Sequence, residues 1–271
     1  MNPHAVRIAG HFGELLQGRL GADGPVALVT LPCPALAVTA RRSPGPHLHL
    51  HGGGQRLLSP AHARAFLERL GQPVQGRVGL RADMPVGGGA GASTAALVAL
   101  ARAGGFAGDP ARLARATVAT EGASDPLMFD APARLLWASR EGRILARLPA
   151  PPAFDVIGGF AGAPQRTRAD DRRFPDIADL FALWAEAAER GDRAALARLA
   201  STSADRTQAL RGGVIPPFMA LVQATGALGH AIAHTGSARA LLFAPGTIPP
   251  GTADLLRKAG FGRIVSFRTG E

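Results

Sequence analysis

Residues 83–95, reading Asp-Met-Pro-Val-Gly-Gly-Gly-Ala-Gly-Ala-Ser-Thr-Ala, constrain the fold more tightly than any other segment of the chain. Gly87, Gly88, Gly89 and Gly91 can take positive φ and let the backbone approach a ligand closely. A helix starting near Ala92 would turn its unpaired N–H groups toward an anion. Followed by the hydroxyls of Ser93 and Thr94, this loop reads as a phosphate cradle. Upstream, Val78, Leu80 and Ala82 alternate with Arg77, Gly79 and Arg81, which predicts a strand running into the loop. Downstream, the small residues from Ala92 to about Ala103 predict a helix stopped by Gly104-Gly105.

The chain's single lysine, Lys258, narrows the kind of phosphate site. A P-loop needs a lysine directly after its last glycine, and here Ala92 and Ser93 follow Gly91, so that class is excluded. Gly87-x-Gly89-x-x-Ala92 meets the looser dinucleotide pattern, but that motif also needs an acidic residue at a strand end about 20 positions later. Asp109 is the only candidate; it precedes Pro110 and a helical pattern, which makes it an N-cap instead.

With 271 residues, 46% of them hydrophobic, the chain can bury a sizeable core and is expected to form two lobes. The 35 glycines and 22 prolines describe a globular, loop-punctuated protein. No apolar run reaches transmembrane length, so no membrane partner is expected. The opening residues do not read as a secretory signal, and Cys33 is the sole cysteine, so a reducing, cytoplasmic setting is expected. The net charge of +10 invites a nucleic-acid reading, yet the arginines are scattered, no aromatic-interleaved basic run occurs and tyrosine is absent. The expectation is no nucleic acid; the same positive field would draw in a nucleotide polyphosphate.

Asp109-Pro110 opens a helix whose apolar positions Leu113, Ala116, Val118 and Ala119 lead to Glu121. A carboxylate near a helix C-terminus is disfavoured by up to about 1 kcal/mol unless a cation lies nearby, which makes Glu121 a candidate Mg²⁺ ligand. Asp125 follows in the turn Gly122-Ala123-Ser124-Asp125-Pro126, where an Asx-turn and a functional carboxylate are both open readings. Phe154, Val156 and Ile157 predict a strand, and helices are predicted over Pro175 to Glu189, Asp192 to about Leu210, and Pro217 to about His234. A second glycine turn, His234-Thr235-Gly236-Ser237-Ala238, precedes an apolar strand Arg239 to Phe243, a short helix Ala253 to Ala259 and a strand Arg263 to Phe267. Strands mixed with helical hairpins in two halves imply an α+β protein with its site between the lobes.

His47-Leu48-His49-Leu50-His51 would place three imidazoles on one face of a strand. Neighbours there are about 6.8 Å apart, so two could pinch an ion but three could not. With no acidic or cysteine partner in the segment, it reads as an exposed polar face. His11, His230 and His234 read as pocket or packing residues, and neither Ser93 nor Ser237 sits in a G-x-S-x-G elbow.

Three stretches taken together, Gly13-Glu14-Leu15-Leu16-Gln17-Gly18, Pro85 through Ala95 and Thr235-Gly236-Ser237-Ala238, resemble in order the three motifs of the GHMP kinases. Within that family the chain is most similar to the L-threonine kinases of cobalamin synthesis and propanediol utilization. The likeness spans nearly the whole chain. It implies a two-lobed GHMP kinase fold: a ribosomal protein S5 domain 2-like lobe over residues 1–150 and a ferredoxin-like lobe over 151–271. It also implies ATP and Mg²⁺ as cofactors and a small-molecule alcohol, L-threonine, as acceptor. Pro85, Gly87, Gly88, Gly89, Ala90, Gly91, Ala92, Ser93 and Thr94 would wrap the ATP phosphates. Ser93 and Glu121 would hold the metal, Asp125 would accept the substrate hydroxyl proton with Ser93 beside it, and Glu14, Gly236 and Ser237 would line the substrate site. The chain departs from those kinases in three places. Ala92 replaces the first serine of the loop, the acidic segment Glu121 to Asp125 is one residue longer, and Phe12 stands where they carry cysteine. Some family members use a catalytic lysine; here Mg²⁺, backbone amides or an arginine such as Arg239 would neutralise charge instead.

Overall fold

The computed structural model describes residues 5–163, 165, 168, 170–171, 173–212 and 218–270. Two long strands, β1 (Ala5–Arg19) and β2 (Val26–Ser43), form an antiparallel ribbon. A short strand β3 (His49–His51) and helix α1 (Pro60–Arg69) lead to β4 (Arg77–Ala82), which pairs antiparallel with β2 and parallel with β3. Val78, Leu80 and Ala82 are buried while Arg77 and Arg81 are exposed, the period-two pattern of a half-buried strand. Helices α2 (Ala92–Ala103) and α3 (Pro110–Glu121) and strands β5 (Leu135–Ala138) and β6 (Arg143–Arg147) complete the first half.

The second half contains β7 (Asp155–Phe160), α4 (Ala178–Glu189), α5 (Arg193–Arg211), α6 (Phe218–Thr225), β8 (Gly229–Ile232), β9 (Ala238–Phe243), α7 (Thr252–Lys258) and β10 (Gly262–Arg268). Its strands lie in the order β10-β7-β9-β8, all antiparallel, the ferredoxin-like arrangement. The strands of both halves join in one sheet, because β8 pairs with β1 where Glu14 meets Ile232. The fold is α+β, and the cleft lies where the halves meet.

Local sequence explains the elements that position this cleft. Helix α2 is apolar almost all round and correspondingly buried, from Ala92 to Ala101 with Ser93 alone exposed. Helix α3 opens on Pro110 with the Asp109 carboxylate accepting from Ala111 N at 2.8 Å, and stops at Gly122, whose φ is 78°. That stop leaves Glu121 at the helix end.

The helix predicted from Pro217 to about His234 is instead a helix and a strand. Pro217 lies outside the described residues; α6 ends at Thr225 and the chain returns as β8. Gly229, His230, Ala231 and Ile232 are all buried, so the strand shows no alternation and reads like a helical run. Helix α4 begins at Ala178 rather than Pro175, because Pro175 is drawn into extended pairing, its carbonyl accepting from Arg19 N at 2.7 Å. His47, His49 and His51 are exposed on and beside β3.

Candidate active site

The β1–β2 ribbon is irregular near the cleft: its register shifts between Ala9 and Gly10, between His11 and Glu14, and between Glu14 and Leu16. Such bulges re-aim side chains, and here they coincide with His11 and Glu14 facing the cavity. Gly13 is required in this stretch. Its φ is 82°, and a Cβ would stand 2.6 Å from the carbonyl carbon of Ile232.

The cavity has a volume of about 710 Å³. One wall is the glycine loop and the N-terminal turn of α2, with Gly87, Gly89, Ala90, Gly91, Ala92, Ser93 and Thr94 lining it. Gly91 is the helix N-cap residue, in the left-handed region at φ 72°. The first N–H groups of α2 therefore end at the cavity, the arrangement that favours an anion. Gln55 through Pro60 and His62 line a second wall, and Gln17, Arg140, Phe174, His234 and Thr235 a third.

Ser93 and Glu121 meet across this cavity, the Ser93 hydroxyl donating to Glu121 Oε1. Ser93 comes from the start of α2 and Glu121 from the end of α3, so helix packing brings two oxygen donors together. Both are hard ligands of the kind Mg²⁺ takes, usually one or two from protein with the rest from phosphate and water.

Asp125 lines the same cavity, with its side chain 23% exposed. Its backbone N–H donates to Thr94 Oγ1 at 3.3 Å, and its Oδ2 lies 3.4 Å from His11 Nε2. Burial raises its pKa, but the charge and hydrogen bond of His11 and the hydroxyl of Thr94 outweigh that and hold it below the ordinary value of 3.8. His11 Nδ1 lies 3.3 Å from Glu14 Oε1. Burial alone would lower the His11 pKa; the two carboxylates overcome it and raise it to about 9. Glu14 is pushed up to about 8, first by burial and in part by the Asp125 charge. At neutral pH this describes an ionised Asp125 beside an imidazolium.

The third wall is built on His234, stacked on Phe174 with ring centroids 4.0 Å apart and an interplanar angle of 6°. His234 Nε2 lies 2.8 Å from Arg211 Nη1, which also bonds Asp171 Oδ2 at 2.6 Å. Burial and then the Arg211 charge lower His234 to about 4, so it is neutral and accepts from the guanidinium. The Arg140 guanidinium lies over Phe174 at 5.8 Å. Gln17 donates through Nε2 to the Ile232 carbonyl at 3.0 Å, leaving its buried Oε1 as an acceptor without a hydrogen-bond partner.

The structure thus gathers Glu14, the glycine loop, Ser93, Glu121 and Asp125 on one cavity, from segments more than 100 residues apart in places. Pro85, Gly88, Gly236 and Ser237 are not among its lining residues. The carbonyl of Gly88 accepts from Ser237 N at 3.0 Å and Ala238 N at 2.9 Å, so the second glycine turn clasps the first, and His234 and Thr235 are the residues of that turn that reach the cavity. Arg239 is directed elsewhere, its guanidinium donating to the carbonyls of Gly236 at 3.3 Å and Ala238 at 2.8 Å. Arg140 brings a cationic side chain to the cavity in its place. No motif signalled Arg140 or Phe174, whereas Gln17 stood inside the first motif unremarked.

No protein-family model matches the chain, and no curated protein matches it in sequence. Solved structures do match. Mevalonate kinase from L. major, solved with R-mevalonate, has a TM-score of 0.64 at 15% identity, covering 97% of this chain and 95% of that one. Homoserine kinase from Cytophaga hutchinsonii has a TM-score of 0.62 at 16% identity, covering 100% and 96%. Phosphomevalonate kinase from Streptococcus pneumoniae, solved with phosphomevalonate and AMPPNP, has a TM-score of 0.65 at 11% identity, covering 97% and 100%. The chain has the fold shared by these GHMP kinases.

Proposed function

We propose that the protein is an ATP-dependent small-molecule kinase that phosphorylates a hydroxyl, with L-threonine as acceptor and O-phospho-L-threonine, destined for cobalamin synthesis, as product. The observation that carries the reading is the convergence of a glycine-capped helix N-terminus, a Ser93–Glu121 oxygen pair and a partly exposed Asp125 on one cavity. Neighbours of the same fold were solved with R-mevalonate and with phosphomevalonate and AMPPNP. In this reading residues 1–150 form the ATP-binding lobe and 151–271 close the acceptor side.

Phosphoryl transfer asks mostly for positioning and charge stabilisation. The N–H groups at the start of α2 would bind phosphate oxygens, and Ser93 and Glu121 would hold Mg²⁺, which would supply positive charge to offset that of the phosphates. Asp125 accepts the acceptor's hydroxyl proton as that oxygen bonds to the γ-phosphorus and the bond to the ADP oxygen breaks. An amino acid suits the third wall: the Gln17 Oε1 is an acceptor for an ammonium group, and Arg140 supplies positive charge for a carboxylate.

The test is ATP consumption by purified protein with Mg²⁺, alone and with L-threonine, L-serine, L-homoserine and mevalonate in parallel. Stimulation by L-threonine alone is the expected result. Stimulation by another alcohol keeps the kinase and discards the acceptor, and ATP binding without turnover discards the kinase. Asp125→Asn is expected to abolish turnover with ATP still bound; near wild-type activity in that variant removes Asp125 as the base.

A further inference from the structure

His11 is held by five neighbouring groups. Its Nδ1 lies 3.3 Å from Glu14 Oε1 and 3.3 Å from the Gly13 carbonyl oxygen, and its Nε2 lies 3.4 Å from Asp125 Oδ2. Its own N–H donates to the Ala90 carbonyl at 3.2 Å. The ring lies against Gly91 so closely that a Cβ there would stand 2.6 Å from His11 Cδ2. We propose that His11 is a positioning residue that fixes the carboxylate of Asp125 in the cavity and ties it to the glycine loop. The proposal deepens the reading of Asp125 as the base and rests on it for its catalytic meaning.

Three features of the arrangement support this. Thr94 accepts from the Asp125 backbone N–H and its hydroxyl also bonds the Asp125 side chain, so the direction of the carboxylate is set by the groups that touch its oxygens, Thr94 on one side and the ring of His11 on the other. With a carboxyl oxygen facing each ring nitrogen of His11, that of ionised Asp125 at Nε2 and that of Glu14 at Nδ1, both nitrogens act as donors, the imidazolium form. The charged groups facing the ring are Glu14 on its own strand and Asp125 from the loop after α3; the glycine loop and Gly13 offer only backbone. One ligand atom each from His11, Glu14 and Asp125 fall within 4.8 Å of one another. Yet the two carboxylates sit at opposite nitrogens of one ring, which is an ion-pair bridge rather than three donors converging on a metal. Glu14 thereby acts as the anchor of the ring, and the ring as the anchor of Asp125.

Two readouts test the proposal, one independent of turnover. In protein labelled at histidine with ¹⁵N, the His11 resonance, assigned by its loss in His11→Gln, is expected to titrate at least about one unit lower in Asp125→Asn than in wild type. The same titration in both proteins overturns the pairing, whether or not the protein is a kinase. In kinetics, His11→Gln is expected to lower kcat at least about tenfold while the KM for ATP stays within about twofold. The acidic limb of its kcat/KM profile is expected at higher pH, because Asp125 loses the charge that opposes burial. A kcat unchanged from wild type, or a loss with the acidic limb unmoved, overturns the positioning role. Absence of turnover in wild type removes the kinase reading and leaves the titration to decide the pairing.

Discussion

The Glu14–His11–Asp125 chain makes stability depend on pH in a direction that follows from the sign of each shift. His11 binds its proton more tightly folded than unfolded, so the stabilisation it brings is complete below about pH 6.5 and lost as pH rises through about 9. Glu14 has the same sign, its pKa raised from 4.5 to about 8, so stability falls as pH climbs through that window. Asp125 has the opposite sign and stabilises above 3.8. The melting temperature is therefore expected to fall from pH 6.5 to 9, and to fall less in a protein carrying both His11→Gln and Glu14→Gln; a profile that is flat or rising in wild type contradicts the assignment. Gly91 gives a second expectation at this scale. An alanine there would adopt a left-handed φ at a cost of about 1–2 kcal/mol and push on the His11 ring, so Gly91→Ala should melt at least about 3 °C lower. In the sequence, Ser93 stood out by its place after the glycine loop and Glu121 by its place at a helix end, whereas the reading of Asp125 as a base came from the family resemblance; the contact of His11 with Asp125 was not legible, since it depends on the irregular register of β1 and on a loop more than 100 residues away.

Helix ends carry the next level of organisation, because the proposed metal pair is made by the start of α2 and the end of α3. A deliberate stop at each was legible: Gly91 before Ala92, and Gly122 after Glu121. What no single segment states is that the two ends meet. Ser93→Ala and Glu121→Gln should therefore behave alike, each raising the Mg²⁺ concentration for half-maximal ATP turnover by at least about tenfold, with the fold unaltered by circular dichroism. The double variant should be little worse than either single one if the oxygens serve one ion; independent, additive losses would separate their roles. Where elements were misread, burial was the cause. Residues 229–232 are buried throughout because β8 is an interior strand flanked by β1 and β9, and a short run buried on both faces has no period to betray it. The long ribbon of β1 and β2 was likewise hidden by its bulges, which break alternation where the cavity needs His11 and Glu14 turned inward.

At the scale of the molecule, the two lobes expected from length and motif order are present as topology but not as separate sheets. Glu14 pairs with Ile232 across the halves, Gln17 N donates to Ser203 Oγ of α5 at 2.9 Å, and one apolar core runs from Leu28 and Leu97 to Trp184 and Leu196. A core shared in this way ties the unfolding of each half to the other, since opening either exposes apolar surface of both. The chain supplies its own reporters: its two tryptophans, Trp137 on β5 and Trp184 on α4, are both fully buried, one in each half. Trp137→Phe and Trp184→Phe leave one reporter each. If the core is cooperative, urea transitions followed by fluorescence in the two variants should each coincide with the transition seen by circular dichroism in that same variant, which removes any difference in their stabilities. A fluorescence transition of Trp184 well separated from the circular dichroism of its own protein would mean that residues 151–271 unfold as an independent unit, and that the cavity walls are held together by the ligand rather than by the fold. Coincidence would mean instead that the cavity, lying across the seam, is preformed by the same core that stabilises the protein.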